Sequence, residues 1–316
     1  MKLFEKFRKQ AHVEAPFLTV ILMVYDMPEQ ALRTLGSLSA DYQFDVKPDE
    51  YEILVVENLS ENNLSAQEVA SVAQNARYIA RNEPRSSPVF AINSAAKEAR
   101  GSHLAIIIDG ARLLTPRVIR NTLNAMTLSP DAVVAVHGYH LGEEPQQYAV
   151  LNGYDETKEK ALLSSINWPD DGYRLFDIAC LSESSRANGI LENIPESNYL
   201  ALSQRLFLKL VGYEEQFDGH GGGYANLDFF KRTCEHKESV LYNLVFEGTF
   251  HQYHGGATTG GGNADRAALM GALSDEYRKI RGTDFKPPQE PFTILGRYER
   301  HSSRFLIDSL RRNVDC

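Results

Sequence analysis

The run FLTVILMVYDMPEQALRTLGSL, residues 17–38, decides how the chain is read. Residues 17–25 are apolar almost without a break, the pattern of a strand covered on both faces in a parallel sheet. Asp26 then stands where a helix cap belongs, with Pro28 in the first turn and Glu29 placed to close a capping box. Leu32, Leu35 and Leu38 recur at helical spacing and give that helix one apolar side. A buried strand feeding directly into a helix opens a βαβ arrangement.

The same alternation continues downstream. YEILVVEN, residues 51–58, reads as a second strand with a polar end. Ser87 and Pro88 open a helix that runs to Arg100 and closes at Gly101, and LAIII, residues 104–108, is a central strand that stops at Asp109. Thr115 and Pro116 start the next helix, and AVVAV, residues 132–136, is a further strand. The fold class expected is α/β, with a mostly parallel central sheet flanked by helices. From His137 to about Pro195 the pattern weakens into polar, aromatic and turn-forming residues, as in a substrate-facing insertion. Beyond it ALSQRLFLKLVGY predicts a helix, followed by glycine-rich DGHGGG, a helix over 225–235 and a strand over 240–246. HGGATTGGGN reads as a mobile loop, 264–281 as a surface helix, and Pro287 and Pro288 begin a C-terminal tail. The glycines at 221–223 and 260–262 permit loops to close over a ligand but lack the setting of a phosphate-binding fingerprint. The domain plan is a tail over 1–15, one domain over 16–282 divided near 136, and a tail over 283–316.

Bulk properties narrow the partners. The chain has 316 residues, 43% of them hydrophobic, enough for a sizeable core. No stretch approaches the roughly 20 apolar residues of a membrane span. Lys2, Lys6, Arg8 and Lys9 surround Leu3, Phe4 and Phe7, so membrane contact is peripheral at most. A net charge of −9 argues against nucleic acid as a partner. The three cysteines, Cys180, Cys234 and Cys316, have neither a disulfide nor a zinc spacing, which suits a cytoplasmic setting, including the inner face of the membrane.

In open parallel sheets, ligands bind beyond the carboxyl ends of the strands. Those ends carry Tyr25 and Asp26, then Glu57 and Asn58, then Asp109. One acidic residue after a strand is an ordinary cap or turn former; acidic residues at successive strand ends point to a site. In order and spacing, VYDMPEQALRTLGSL, VVENLS, AINSAAKEARGSHLAIIIDGA, VGYEEQF and GGGYANLDFFKR resemble the family 2 glycosyltransferases, over about residues 17–256. The resemblance implies a GT-A, Rossmann-like fold with an acceptor-side insertion. It implies transfer of a sugar from a nucleotide-diphosphate donor to a glycan, lipid-linked or polysaccharide acceptor. Tyr25, Asp26, Glu57, Asn58, Asn93 and Asp109 would line the nucleotide, and Asp109 with His251 or His254 would hold a divalent metal, Mn2+ or Mg2+, on the diphosphate. The spacing of FHQYHGG leaves open which histidine points inward. Glu196, Ser197, Asn198, Trp168 and Arg112 would face sugar or acceptor, and Asp228, Asn226 and Asp218 are the candidates for the catalytic position.

This chain departs from the family pattern twice. Ala111 stands where the second aspartate of Asp-x-Asp belongs, leaving Arg112 to replace part of the metal's charge. Asn226 stands where a carboxylate base is usual, and an amide cannot take up a proton at neutral pH. Inverting transfer, retaining transfer and a degenerate protein that binds nucleotide or glycan without turnover all remain open. A nucleotidyltransferase would want a basic, glycine-rich loop after the first strand, where VYDMPEQ is acidic.

Overall fold

The computed structural model describes residues 18–85, 87–255 and 263–314. The expectations for Phe17, for residues 1–15, for the glycines at 260–262 and for Cys316 lie outside the described residues. The strands are β1 Leu18–Val24, β2 Tyr51–Asn58, β3 Ala76–Arg81, β4 His103–Ile107, β5 Arg112–Leu114, β6 Ala132–Leu141, β7 Ala179–Leu181, β8 Leu200–Ser203, β9 Val240–His251 and β10 Thr293–Ile294. The helices are α1 Pro28–Leu38, α2 Ala66–Val72, α3 Val89–Glu98, α4 Val118–Leu128, α5 Gln146–Ala149, α6 Glu156–Ile166, α7 Glu183–Arg186, α8 Gln204–Lys209, α9 Ala225–Cys234, α10 Asn263–Arg281 and α11 Ser303–Val314. No helix among the described residues is long and apolar enough to cross a membrane.

The main path of the sheet runs β10-β9-β6-β8-β4-β1-β2-β3, with β5 on β9 and β7 on β6. β1, β2, β3 and β4 pair parallel, β8 lies antiparallel between β4 and β6, and β6 and β9 pair parallel. β8 reverses direction once on each side, so β6 and β9 point the same way as β1, β2 and β4. Their carboxyl ends therefore open on one edge. This is the mostly parallel α/β sheet flanked by helices that the sequence predicts.

Side-chain alternation explains why β1 is apolar throughout. Leu18, Val20, Leu22 and Val24 join Leu35 and Leu38 of α1 on one face, while Ile21 and Met23 join Ile92 of α3 and Phe229 of α9 on the other. Each side chain of this size contributes roughly 1.5–3 kcal/mol by its burial, and truncating Leu35 to alanine would cost about 2–5 kcal/mol. A third cluster, Tyr139, Phe176, Phe250 and Phe305, ties β6 and β9 to the insertion and to α11.

Local readings fail where tertiary contacts override them. Asp26 does not cap α1: it sits at a positive φ of 52°, and Met27 occupies the cap without a side-chain bond. Pro28, pre-set for the first turn, starts the helix instead. The capping box belongs to the unforeseen α2, between Ser65 and Glu68. Residues 201–213 are not one helix, because β8 fills the slot between β4 and β6 and Ser203 caps α8 from Leu206 N at 3.1 Å. β6 and β9 run past their expected ends to Leu141 and His251. The stretch from Pro287 onward carries β10 and α11, whose Phe305 is buried against Tyr139.

Candidate active site

The edge is built from strand ends. β4 delivers Asp109, and Gly110 follows because a Cβ there would stand 2.8 Å from the Met23 carbonyl oxygen. That close approach turns the chain into β5, which pairs antiparallel with β9 so that Arg112 faces His251. On the other side of β9, His140 of β6 is the register partner of the same His251, with ring centroids 5.3 Å apart.

The side chains converge on Asp109. His251 Nε2 lies 3.2 Å from Oδ2, His254 Nε2 lies 3.6 Å from Oδ1, and the two Nε2 atoms are 3.1 Å apart. Arg112 Nε donates to Oδ2 at 3.0 Å and Ala111 N to Oδ1 at 3.1 Å. Burial alone would raise the Asp109 pKa, but the Arg112 guanidinium and then the two histidines hold it well below the ordinary value. Burial, reinforced by the Arg112 charge, pushes His251 down to about 4, so its imidazole is neutral at pH 7. His140 is lowered by burial and then by His251 and Arg112.

One carboxylate oxygen and two imidazole nitrogens within 4.8 Å of one another fit a divalent cation. Both histidines belong to this cluster. The segment that carries the histidines is clamped from two helices. Gln252 is fully buried, donating to Gln30 O at 3.1 Å and Thr34 Oγ1 at 3.0 Å and accepting from Arg33 Nε at 2.7 Å. Gln30 Nε2 holds Tyr253 O at 2.8 Å, and buried Glu159 of α6 accepts from Tyr253 N at 2.6 Å. His140, Gln252 and Glu159 were missed by sequence reasoning. Only the histidine-rich strand end signalled their neighbourhood; Glu159 looks like any residue of a polar helix.

The other expected residues separate by what occupies them. Glu57 is fully buried, its Oε2 accepting from Leu64 N at 2.9 Å and Tyr78 Oη at 2.6 Å, while Oε1 has no partner among the described residues. Burial raises its pKa. Asn58 Oδ1 is likewise buried without a partner among the described residues. Tyr25 and Asp26 are exposed at the same edge, Asp26 accepting from Asn62 Nδ2 at 3.0 Å. Asn93 is engaged elsewhere: its amide clasps the Tyr213 backbone, donating at 2.9 Å and accepting at 2.9 Å.

Asp228 is buried and accepts from Arg232 Nε at 2.7 Å and from Arg281 Nε and Nη2 at 2.6 and 2.8 Å. Three guanidinium N–H groups hold its two oxygens, so it acts here as an ion-pair anchor. Asn226 donates to Ser197 O at 3.1 Å, which brings two expected residues together, and buried Ser197 bonds the backbone of Val136 and Tyr199. Glu196 accepts from Ser184 Oγ at 2.8 Å, and Asn198 lies beside Gly138. Trp168 packs edge-on against Tyr42, centroids 5.7 Å apart, in the third apolar cluster. Asp218 is exposed and its carboxylate has no partner among the described residues. In the insertion, a cleft of about 490 Å³ is lined by Glu143, Asn152, Tyr154, Lys158 and Leu162. Tyr154 meets Tyr253 edge-on, centroids 6.3 Å apart, which joins the cleft to the histidine segment.

With this geometry in view, the chain is similar to solved structures that include a mannosyltransferase. S. aureus TarS is 13% identical, with a TM-score of 0.49 over 94% of this chain and 43% of that one. TarS 1-349 in complex with UDP is 12% identical, with a TM-score of 0.46 over 95% of this chain and 72% of that one. Mannosyltransferase PcManGT from Pyrobaculum calidifontis, in complex with GDP-Man and Mn2+, is 13% identical, with a TM-score of 0.41 over 96% of this chain and 66% of that one. The chain thus spans less than half the length of the first of these. No family model matches the sequence, and no curated protein matches it.

Proposed function

We propose that the chain is a GT-A-type glycosyltransferase that moves a sugar from a nucleoside-diphosphate donor to a glycan, lipid-linked or polysaccharide acceptor. The observation that carries this reading is the convergence of Asp109, His251, His254 and Arg112 on one strand edge, beside the free polar atoms of Glu57 and Asn58. Glu57 and Asn58 suit the hydroxyl and imide groups of a nucleoside, since their unpartnered oxygens accept hydrogen bonds, and Tyr25 and Asp26 frame the same pocket. Asp109, His251 and His254 would hold Mn2+ or Mg2+. Such an ion, when bound, stabilises charge on the departing diphosphate. The acceptor belongs on the insertion side, where the cleft beside Tyr154, with Glu196, Asn198 and Trp168, offers hydroxyl-binding groups. For an inverting transfer the base falls to Asp218, because Asn226 cannot take a proton and Asp228 is held by arginines.

A second reading has its own support: Ala111, Asn226 and the arginine-held Asp228 also suit a protein that binds donor without turning it over. The test is release of nucleoside diphosphate from a panel of nucleotide sugars, with Mn2+, by wild type and Asp109→Asn. Release from the sugars of one nucleotide, reduced about 100-fold in the variant, is expected. Tight donor binding with no release would favour the second reading, and neither binding nor release would end both.

A further inference from the structure

Arg112 occupies an unusual position at this edge. Its side chain is 10% exposed, and its backbone N–H donates to Thr34 Oγ1 at 2.9 Å while β5 is paired to β9, so the guanidinium is set by the fold. Nε is used on Asp109, but Nη1 is buried with no partner among the described residues. Leaving a buried donor unpaired is costly, more so when it is charged, and the natural partner of a guanidinium fork is an oxyanion.

The same residue weakens the case for an obligatory ion. A hard dication wants several anionic oxygens, and the described cluster offers one carboxylate. Its Oδ2 already accepts from Arg112 and its Oδ1 from the Ala111 N–H. The charge of Asp109 is thus balanced before any ion arrives, and the remaining donors, His251 and His254, add no negative charge. A nucleoside diphosphate entering this edge still meets a fixed cation with a spare N–H.

We infer that Arg112 is the resident cation of the site: it binds a diphosphate oxygen of the donor directly, so that nucleoside diphosphate binds without a divalent ion. The inference rests on the glycosyltransferase reading and specifies how that site meets its anion.

The experiment is calorimetric titration of uridine, guanosine, adenosine, cytidine and thymidine diphosphates into full-length protein. It is run in EDTA and again in Mn2+, with wild type, Arg112→Gln and Arg112→Lys, the melting transition confirming that each variant is folded. Wild type should bind one of the diphosphates in EDTA. Whichever variant folds should bind it at least about threefold more weakly for lysine and tenfold for glutamine, with a smaller loss in Mn2+. An equal loss with and without Mn2+ would make Arg112 a structural partner only and overturn the inference, as would unchanged binding in EDTA. Wild-type binding seen only in Mn2+ would overturn it while leaving the transferase reading standing. Binding of none of them in either condition would remove the reading and the inference together.

Discussion

Two acidic side chains with arginine partners, Asp109 and Asp228, show how differently the same pairing is used. Asp228 sits in the first turn of α9 and receives three N–H bonds from Arg232 and Arg281. Arg232 passes the constraint on, its remaining nitrogens holding Leu210 O and Gly212 O at 2.9 Å each, on either side of Val211. Val211 needs holding: it is a β-branched residue at a φ of +61°. At Asp109 the count does not close. Among the described residues one arginine keeps a spare buried donor, His251 Nδ1 has no partner, and two imidazole nitrogens lean toward each other across the carboxylate. The Asp228 surroundings account for the fold around α9, whereas those of Asp109 leave polar groups without a partner among the described residues.

The sharpest way to break this contrast is Asp228→Ala. Two buried or half-buried arginines would lose their anion, and a loss of about 3–5 kcal/mol is expected in urea unfolding; a loss below about 1 kcal/mol would show that the anchor does not anchor. Glu247 offers a third case, a buried carboxylate saturated by neutral donors, Thr115, Tyr173 and Asn121. Burial raises its pKa from 4.5 to about 7. The folded chain therefore keeps a proton that the unfolded chain releases, and this group's contribution to stability falls as pH rises from about 4.5 to about 7. Glu247→Gln should remove a slope on the order of 3 kcal/mol across that window, while Glu159, similarly raised to about 7, keeps its own. A pH profile of melting temperature unchanged by the substitution would contradict the assignment. Asp109→Asn should cost only about 1–2 kcal/mol, since Arg112 keeps an acceptor there. The smallest effect is a gain: Val211→Gly should stabilise by about 1 kcal/mol by relieving the left-handed strain, and a destabilised variant would mean the side chain does more than tolerate its φ.

The sheet was legible where burial on both faces writes apolar runs, as in β1, β2 and β4. It was illegible where a strand is short or half-covered: β3 is half-buried ARYIAR, and β8 has only a few apolar residues, too few to show a period. The far ends of β6 and β9 were hidden because HGYHL and EGTFH mix polar groups into buried positions. Asp109 and the two histidines could be picked out because each follows or ends a strand on the same edge. Asp228 could not be told from a base, because Arg281 reaches it from the far helix α10. Asn93 likewise carries no sign in the sequence of its clasp on the distant Tyr213 backbone.

The most direct test of the Asp109 site is calorimetry with the five nucleoside diphosphates, in Mn2+, on wild type and Asp109→Asn side by side. The expected result is binding of one diphosphate by wild type and at least about tenfold weaker binding by a variant that still melts cooperatively. Equal binding by the two proteins, or none by wild type, would contradict the placement of a nucleotide site at this edge.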